Sequence, residues 1–293
     1  MSIVAPARVE LGNDEIWVSV STAGAELTSL CDAAGLEYLW QAGPEWPRHA
    51  PVLFPIIGRL PGDTLRHRGV SYPMGRHGFA RDRTFELAAS SAHGAVFLRR
   101  SDAVTREVFP FEWTLIVAYA LTGSTLRITQ TVENRGTEPL GFSVGNHPAF
   151  ALPLPGGQGE HRLRFAEEEP EGIRRAPGGF LGVPRFPSPL VKGAVIVDDA
   201  WFEEDALIFD TPKRRTVTLE AAGARSITVD TGDFDVLGLW KPVGAPLLCI
   251  EPWRGIPTPA GWDGDIVDKP RQVVLGPGEH RAFSCSIMIG SYT

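Results

Sequence analysis

The chain consists of short runs of β-type residues that glycine and proline interrupt at close intervals. In residues 15–21 and 125–133, apolar side chains alternate with polar ones, as in strands that are buried on one face. Similar runs cover residues 95–99, 113–121, 216–220, 226–230, 236–240, 247–251, 272–275 and 282–289. Since hardly any segment shows the helical period of 3.6 residues, the pattern predicts an all-β sandwich.

The number of turns and the absence of repeats indicate how this sandwich is organised. The chain has 293 residues with 32 glycines and 25 prolines, which supply many turns without reaching low complexity. We find no internal repeat and no linker long enough to separate two units. The sequence therefore predicts a single domain over residues 1–293.

Charge and cysteine content exclude several classes of protein. A net charge of −7 argues against a partner nucleic acid, which usually requires a basic surface. Cys31, Cys249 and Cys285 are widely spaced and form no CxxC motif, so neither a disulfide framework nor a zinc ribbon is expected. No apolar run approaches the ~18 residues of a membrane span. We expect a cytoplasmic protein without a membrane partner, and the sequence leaves its oligomeric state open.

An imidazole lies at a rigid corner in Gly145-Asn146-His147-Pro148, after the strand-like run 140–144. Pro148 favours an extended conformation for His147, which fixes the direction of the ring. With an ordinary pKa of about 6.5, this ring can donate or accept a proton near neutral pH. A hydrogen-bonded histidine in a turn is the structural alternative.

Glu251 ends the apolar run 247–251. Burying a carboxylate costs several kcal/mol unless it is paired or its pKa rises. Glu251 is therefore either paired with an arginine or adjusted to act as a base. Cys249 shares its strand face, and we interpret that thiol as a packing residue.

A local positive charge lies between residues 59 and 83, where six arginines outnumber the two acids Asp63 and Asp82. These arginines form either a solvated face or a surface for a phosphorylated substrate; they are Arg59, Arg66, Arg68, Arg76, Arg81 and Arg83. Within this segment, His77 precedes Gly78, where the backbone can approach a ligand closely.

Other polar and aromatic residues are candidates for binding a sugar. Asp205 precedes an apolar run and can accept protons from sugar hydroxyls, or it caps a strand; whether Asp205 or Asp210 has the binding role stays open. Trp240 and Trp253 can stack on a sugar face or pack in a core. The histidines show no metal-binding spacing, so we expect neither a metal site nor another cofactor.

Four motifs occur in the order that is seen in aldose 1-epimerases, which are also called galactose mutarotase-like proteins. They are Ile57-Gly58-Arg59, His77-Gly78-Phe79-Ala80-Arg81, Gly145-Asn146-His147-Pro148 and Cys249-Ile250-Glu251-Pro252-Trp253. The chain resembles this family over nearly its whole length and is most similar to the LacX-like branch. The resemblance implies a β-supersandwich with the site in a concave groove.

The resemblance also implies roles for individual residues. Glu251 would be the general base and His147 the general acid, with His77 and Arg59 as polarising partners. Asp205 would bind hydroxyls. The residues expected to bind substrate are Arg59, Asn146, Asp205, Arg81 and Trp240.

We therefore predict an enzyme that interconverts the α and β anomers of a free hexose. The base would remove the C1 hydroxyl proton while the acid, on the opposite side of the sugar, protonates the ring oxygen. Two alternatives stay open: a hexose-6-phosphate mutarotase, suggested by the arginines, and a non-catalytic sugar-binding protein that uses the same groove.

Overall fold

A computed structural model describes residues 6–169, 171–213 and 215–292, and within these ranges the chain is almost entirely β-structure. The strands up to Phe142 are β1 (Arg8–Gly12), β2 (Ile16–Ser21), β3 (Leu27–Asp32), β4 (Val52–Leu53), β5 (Thr64–His67), β6 (Val70–Pro73), β7 (Glu86–Ser91), β8 (Gly94–Arg100), β9 (Trp113–Thr122), β10 (Thr125–Asn134) and β11 (Leu140–Phe142). The later strands are β12 (Val144–Asn146), β13 (Ala149–Ala151), β14 (Gln158–Phe165), β15 (Ala194–Ile196), β16 (Leu207–Phe209), β17 (Thr216–Ala222), β18 (Arg225–Asp230), β19 (Val236–Trp240), β20 (Leu247–Arg254), β21 (Val273–Leu275) and β22 (His280–Tyr292).

Helical structure in the described ranges is limited to single turns. One α-helical turn, α1 (Ala103–Arg106), is capped by the Asp102 carboxylate, which accepts a hydrogen bond from the Thr105 amide. The 3₁₀ turns are Pro61–Asp63, Ala80–Asp82, Pro177–Gly179, Asp199–Phe202 and Ile266–Asp268. No helix among the described residues is both long and apolar enough to cross a membrane.

A nine-stranded antiparallel sheet has the order β15-β14-β17-β18-β22-β10-β9-β8-β7. The central strand β10 buries every second residue, including Leu126, Ile128 and Val132. Because strand side chains alternate between faces, this pattern gives the sheet one apolar face and one hydrated face.

A six-stranded sheet packs against that apolar face and has the order β16-β19-β20-β12-β4, with β13 paired beside β20. In contrast to β10, strand β20 is buried along both faces from Leu247 to Trp253. Leu248 and Ile250 point into the main core. The opposite face of this strand presents Cys249, Glu251 and Trp253, and this face forms the floor of the pocket described below.

The two sheets enclose the main hydrophobic core. Phe54, just after β4, packs on Trp113 of β9 with ring centroids 5.1 Å apart. Gln130 of β10 is fully buried, and its amide nitrogen donates to the Gly145 carbonyl oxygen at 3.1 Å and to Asn146 Oδ1 at 2.9 Å. The amide nitrogen of this buried side chain thus links the two sheets, while its Oε1 is buried without a hydrogen-bond partner among the described residues.

All ten strands predicted above are confirmed, with end points that shift by a few residues. The run 140–144 is not continuous, because β11 pairs with β21 whereas β12 pairs with β20 and β4. Between β11 and β12, the Ser143 amide donates to the Pro55 carbonyl oxygen, so the chain changes sheets at this residue. The all-β sandwich predicted from the sequence is confirmed.

Candidate active site

A concave pocket of about 600 Å³, its open mouth included, lies on the face of the six-stranded sheet that points away from the main core. Its lining combines titratable, cationic and aromatic side chains: Trp46, Gly58, Arg76, His77, Arg81, His147, Ala176, Gly179, Asp205, Ala206, Trp240, Glu251, Trp253 and Pro257.

Strand register brings Glu251 and His147 together. Gly145 of β12 lies opposite Trp253, and Ala149 of β13 lies opposite Cys249, so both strands pair with β20 in the same register. His147, midway between β12 and β13, therefore falls opposite Glu251. The Nε2 atom of His147 lies 3.2 Å from Oε2 of Glu251, and both side chains are buried.

Glu251 is held at the pocket floor by hydrogen bonding as well as by its strand. The indole Nε1–H of Trp253 donates to Oε2 of Glu251 at 3.2 Å. Oε1 makes no hydrogen bond with any part of the chain that the structure describes. The glutamate thus keeps one oxygen for a substrate while the other contacts Trp253 and His147.

Aromatic rings fix the position of the His147 imidazole. Trp46 stacks on it with centroids 4.9 Å apart, and Trp240 meets it edge-on at 5.8 Å. Trp46 is itself anchored, since the Nε1–H of Trp40 donates to its carbonyl oxygen at 2.8 Å. These contacts exclude water from the ring and leave its Nε2 edge facing Glu251.

Burial sets the protonation of this pair. Desolvation raises the pKa of Glu251 well above its ordinary value, and the nearby charge of Asp205 adds to this rise. Desolvation lowers the pKa of His147 to about 3, and the charge of Arg81 lowers it further in the same direction. Burial therefore favours the neutral form of both residues, with a proton they share held by the carboxyl group.

His77 presents a donor to the same pocket. Its Nδ1 accepts a hydrogen bond from the Gly58 amide at 3.2 Å, so the proton of the neutral ring lies on Nε2. Burial, followed by the nearby His147, lowers the pKa of His77 well below its ordinary value. The close backbone approach at Gly78 is to Phe54, since a Cβ on Gly78 would lie 2.2 Å from the Phe54 carbonyl oxygen, and does not involve a ligand.

The structure separates the two acids that the sequence could not distinguish. Asp205 lines the pocket in a left-handed backbone conformation (φ 69°), and its Oδ1 accepts the Ala206 amide. Asp210 lies outside the pocket, where it is paired with Arg185 at 2.8 Å and Arg174 at 3.4 Å. Asp205 is therefore the acid available to a ligand.

Two residues expected to bind substrate do not line the pocket. The guanidinium of Arg59 lies on the surface, with Nε 3.5 Å from Asp63. The amide of Asn146 points into the core, where it accepts from Gln130 and donates to Cys285 Sγ at 3.4 Å. The other predicted site residues are brought together here: Glu251, His147, His77, Arg81, Asp205 and Trp240.

Two pocket residues received no individual role from the sequence. Trp46 lies in an irregular proline-flanked loop without periodicity, so no pattern placed it near His147. Arg76 was counted in the arginine-rich segment, and its closeness to His77 in the sequence was a usable signal. Trp253 was considered as a stacking residue, and the structure adds its hydrogen bond to Glu251.

Among the described residues, His147, Cys249 and Glu251 form a group that could hold a metal ion, with ligand atoms within 4.8 Å of one another. Burial raises the pKa of the Cys249 thiol well above its ordinary value, which disfavours the thiolate that binds metals. His147 Nε2 and Glu251 Oε2 are also already in contact with each other. The expectation of no metal site stays a prediction.

A β-sandwich that joins titratable side chains, hydrogen-bond donors and tryptophans in one pocket is suited to proton transfer on a small polar ligand. The chain belongs to the aldose 1-epimerase family, which it matches over residues 7–287. Aldose 1-epimerases are isomerases, so the chain is assigned to this class of enzyme.

Individual relatives agree with this assignment. The chain is 34% identical to the plasmid-encoded protein LacX of Lactococcus lactis subsp. lactis, over 96% of this chain and 99% of that protein. A galactose mutarotase related enzyme from Lactobacillus acidophilus superposes with a TM-score of 0.91 at 32% identity, covering 98% of both chains. A galactose mutarotase-like protein from Lactobacillus casei gives a TM-score of 0.89 at 30% identity, covering 96% of this chain and 99% of that one. The predicted galactose mutarotase-like fold and the LacX-like branch are confirmed.

Proposed function

We propose that Glu251 and His147 exchange the anomers of an aldose by opening and closing its hemiacetal ring. The direct contact of their side chains, 3.2 Å between His147 Nε2 and Glu251 Oε2, is the observation on which this proposal depends most. His77, Arg81, Asp205 and Trp240 would bind the sugar around this pair. The three thiols are all unpaired, which supports our further proposal that the protein works in the reducing cytoplasm.

The contact changes one part of the expected mechanism. The sequence suggested a base and an acid on opposite sides of the sugar, whereas we propose that both act from one side, because their side chains lie 3.2 Å apart. In a hemiacetal, however, the C1 hydroxyl oxygen and the ring oxygen are bonded to the same carbon. Two adjacent groups can therefore reach both oxygens from one side.

Proton transfer across the contact prepares the reaction. Moving the proton from Glu251 to His147 gives a carboxylate and an imidazolium without changing the total charge of the pair. Glu251 then removes the C1 hydroxyl proton while His147 protonates the ring oxygen, and the bond between C1 and the ring oxygen breaks. After rotation about C1–C2, the reverse transfers close the ring to the other anomer and restore both groups.

His77 and Asp205 have complementary tasks in this proposal. The His77 Nε2–H can donate to a sugar oxygen and stabilise negative charge during ring opening, while Asp205 accepts protons from hydroxyl groups. Trp240 offers an apolar face to the sugar ring. These contacts would position C1 against the acid–base pair.

Anomer exchange followed by polarimetry on freshly dissolved α-glucose and α-galactose tests the proposal. Each positioned acid or base typically contributes ~10²–10⁴-fold, so Glu251→Gln should lose most of the acceleration over buffer while staying folded. Glu86→Gln, a change of the same type at an exposed site, should match the wild type. A wild-type protein that binds these sugars without accelerating exchange would instead identify a sugar-binding protein.

A further inference from the structure

Two arginine side chains form part of the pocket wall, although neither has a carboxylate partner at hydrogen-bonding distance. Arg76 makes no ion pair or side-chain hydrogen bond with the described part of the chain, and its Nε is buried without a partner. Arg81 donates one hydrogen bond to the Arg76 carbonyl oxygen at 2.7 Å. Its nearest carboxylate, Asp82, lies 3.9 Å away and is already bound to Arg48 at 2.9 Å.

The backbone at Gly179 allows Arg76 to lie against the pocket wall. A Cβ at Gly179 would lie 3.2 Å from an Arg76 Nη and 3.3 Å from its Nε, so the guanidinium packs directly on this glycine. Arg59 packs on the same glycine through Cγ, but its guanidinium turns away to Asp63. Of the two, Arg76 is the arginine that reaches the pocket.

This wall has an excess of positive charge. Burial and the charge of Arg48, together with Arg76, lower the pKa of Arg81 to about 10. The same cations lower the pKa values of His77 and His147. On the acidic side, the described residues of the lining include only Asp205 and Glu251, and burial favours the neutral form of Glu251. A neutral sugar would leave the arginine charges unbalanced, whereas an anionic group would balance them.

We propose that the pocket selects aldoses that bear an anionic group, a phosphate ester or a carboxylate, over neutral aldoses, with Arg76 and Arg81 binding the anion. This inference rests on the anomer exchange proposed above. A planar guanidinium can bind phosphate or carboxylate oxygens in pairs, which accounts for arginine rather than lysine at both positions. An anion held there would also offset the positive field that disfavours the imidazolium of His147.

Rates of anomer exchange for matched sugars test this proposal. Glucose and galactose would be compared with their 6-phosphates and with glucuronate and galacturonate, using NMR saturation transfer. We expect kcat/KM for one anionic series to exceed that of the neutral sugars by ~10–100-fold, the range of a charge-assisted contact. Preference for the phosphate esters or for the uronates identifies the anion.

A variant series separates anion binding from a general effect on the pocket. Arg76→Met should reduce kcat/KM for the preferred anionic sugar by ~10–100-fold and for neutral sugars by less than threefold. Arg76→Lys should recover part of the loss, because it restores charge without the planar fork. Arg66→Met removes an arginine of the same segment that is bound to Asp263, and it should match the wild type.

Two results would overturn the inference: neutral sugars exchanged as fast as both anionic series, or Arg76→Met slowing all sugars equally. Neither result would affect the proposed chemistry, since that is tested by Glu251→Gln on whichever sugar is exchanged. If no sugar is exchanged faster than in buffer, the proposed function fails first.

Discussion

Asn146 and His147 are neighbours in the chain and are almost equally buried, with 5% and 6% of their surfaces exposed, but they face opposite sides of the six-stranded sheet. Asn146 points between the two sheets, where its amide is hydrogen-bonded to Gln130 and Cys285. His147 points into the pocket and contacts Glu251. On the core side, the hydrogen bonds of Asn146 join the two sheets, although Gln130 Oε1 has no partner among the described residues. On the pocket side, the polar groups retain unsatisfied bonding capacity and shifted pKa values. Burial alone therefore does not distinguish a structural polar residue from one that we propose to act in catalysis.

The largest effect on chemistry is expected at His147. Because we propose that its imidazole transfers the proton to the ring oxygen, His147→Asn should reduce kcat for anomer exchange by ~10²–10⁴-fold. Thermal unfolding should change little, since the ring faces a pocket and not the core. His280→Asn, a matched change at an exposed histidine, should leave both measurements unchanged. If His147→Asn instead destabilised the protein and left anomer exchange intact, His147 would be a structural residue like Asn146, and the contrast between the core side and the pocket side of the sheet would be lost.

The opposite result is expected at Asn146. Asn146→Ala leaves the buried Gln130 amide short of an acceptor, which should lower the free energy of unfolding by about 1–3 kcal/mol in denaturant titrations. The rate of exchange per folded molecule should fall far less than in His147→Asn. A rate loss without a stability loss would instead support the substrate-binding role that the resemblance implied.

The pH dependence of anomer exchange measures how strongly the pocket lowers the pKa of His147. Because the pKa of His147 is lowered to about 3, acidification adds a proton to the His147–Glu251 pair only as the pH approaches that value. The raised pKa of Glu251 keeps the shared proton on the pair when the pH rises above the ordinary range of a carboxyl group. With a neutral aldose, the acidic limb of kcat/KM that His147 sets should therefore lie well below pH 6.5, where free imidazole titrates.

Trp46→Leu provides the comparison for that profile. Removing the stacked indole admits water to His147, which should raise its pKa and move the acidic limb of the profile towards pH 6.5. The accompanying change in kcat at the optimum should be small, about three- to tenfold. An acidic limb near pH 6.5 already in the wild type would show that the pocket does not desolvate the ring.

Much of the architecture was predictable because strand periodicity is local information. Alternation in residues 125–133 and the apolar run 247–251 gave the strands, and the same alternation correctly put Cys249 and Glu251 on one face. Applied to Asn146 and His147, that rule would also have shown that adjacent residues cannot both face the pocket. The prediction of one domain over residues 1–293 stays a prediction.

The remaining features depend on distant parts of the chain. The contact between His147 and Glu251 follows from the shared register of β12 and β13 on β20, which no local pattern encodes. The Gly58-Arg59 pair gave no direction for the guanidinium, which turns to Asp63 instead of the pocket. Trp46 reaches His147 from an irregular loop, where no periodicity constrains the side chain.

The central claim is that Glu251 and His147 act as one proton-transferring unit. A double-mutant cycle of Glu251→Gln and His147→Asn, measured as the catalysed rate of anomer exchange, tests it most directly. Residues that act as a unit are strongly non-additive, so the double variant should be slower than the slower single variant by no more than about threefold. Losses that multiply in the double variant would show that the two side chains act independently, and would contradict the account.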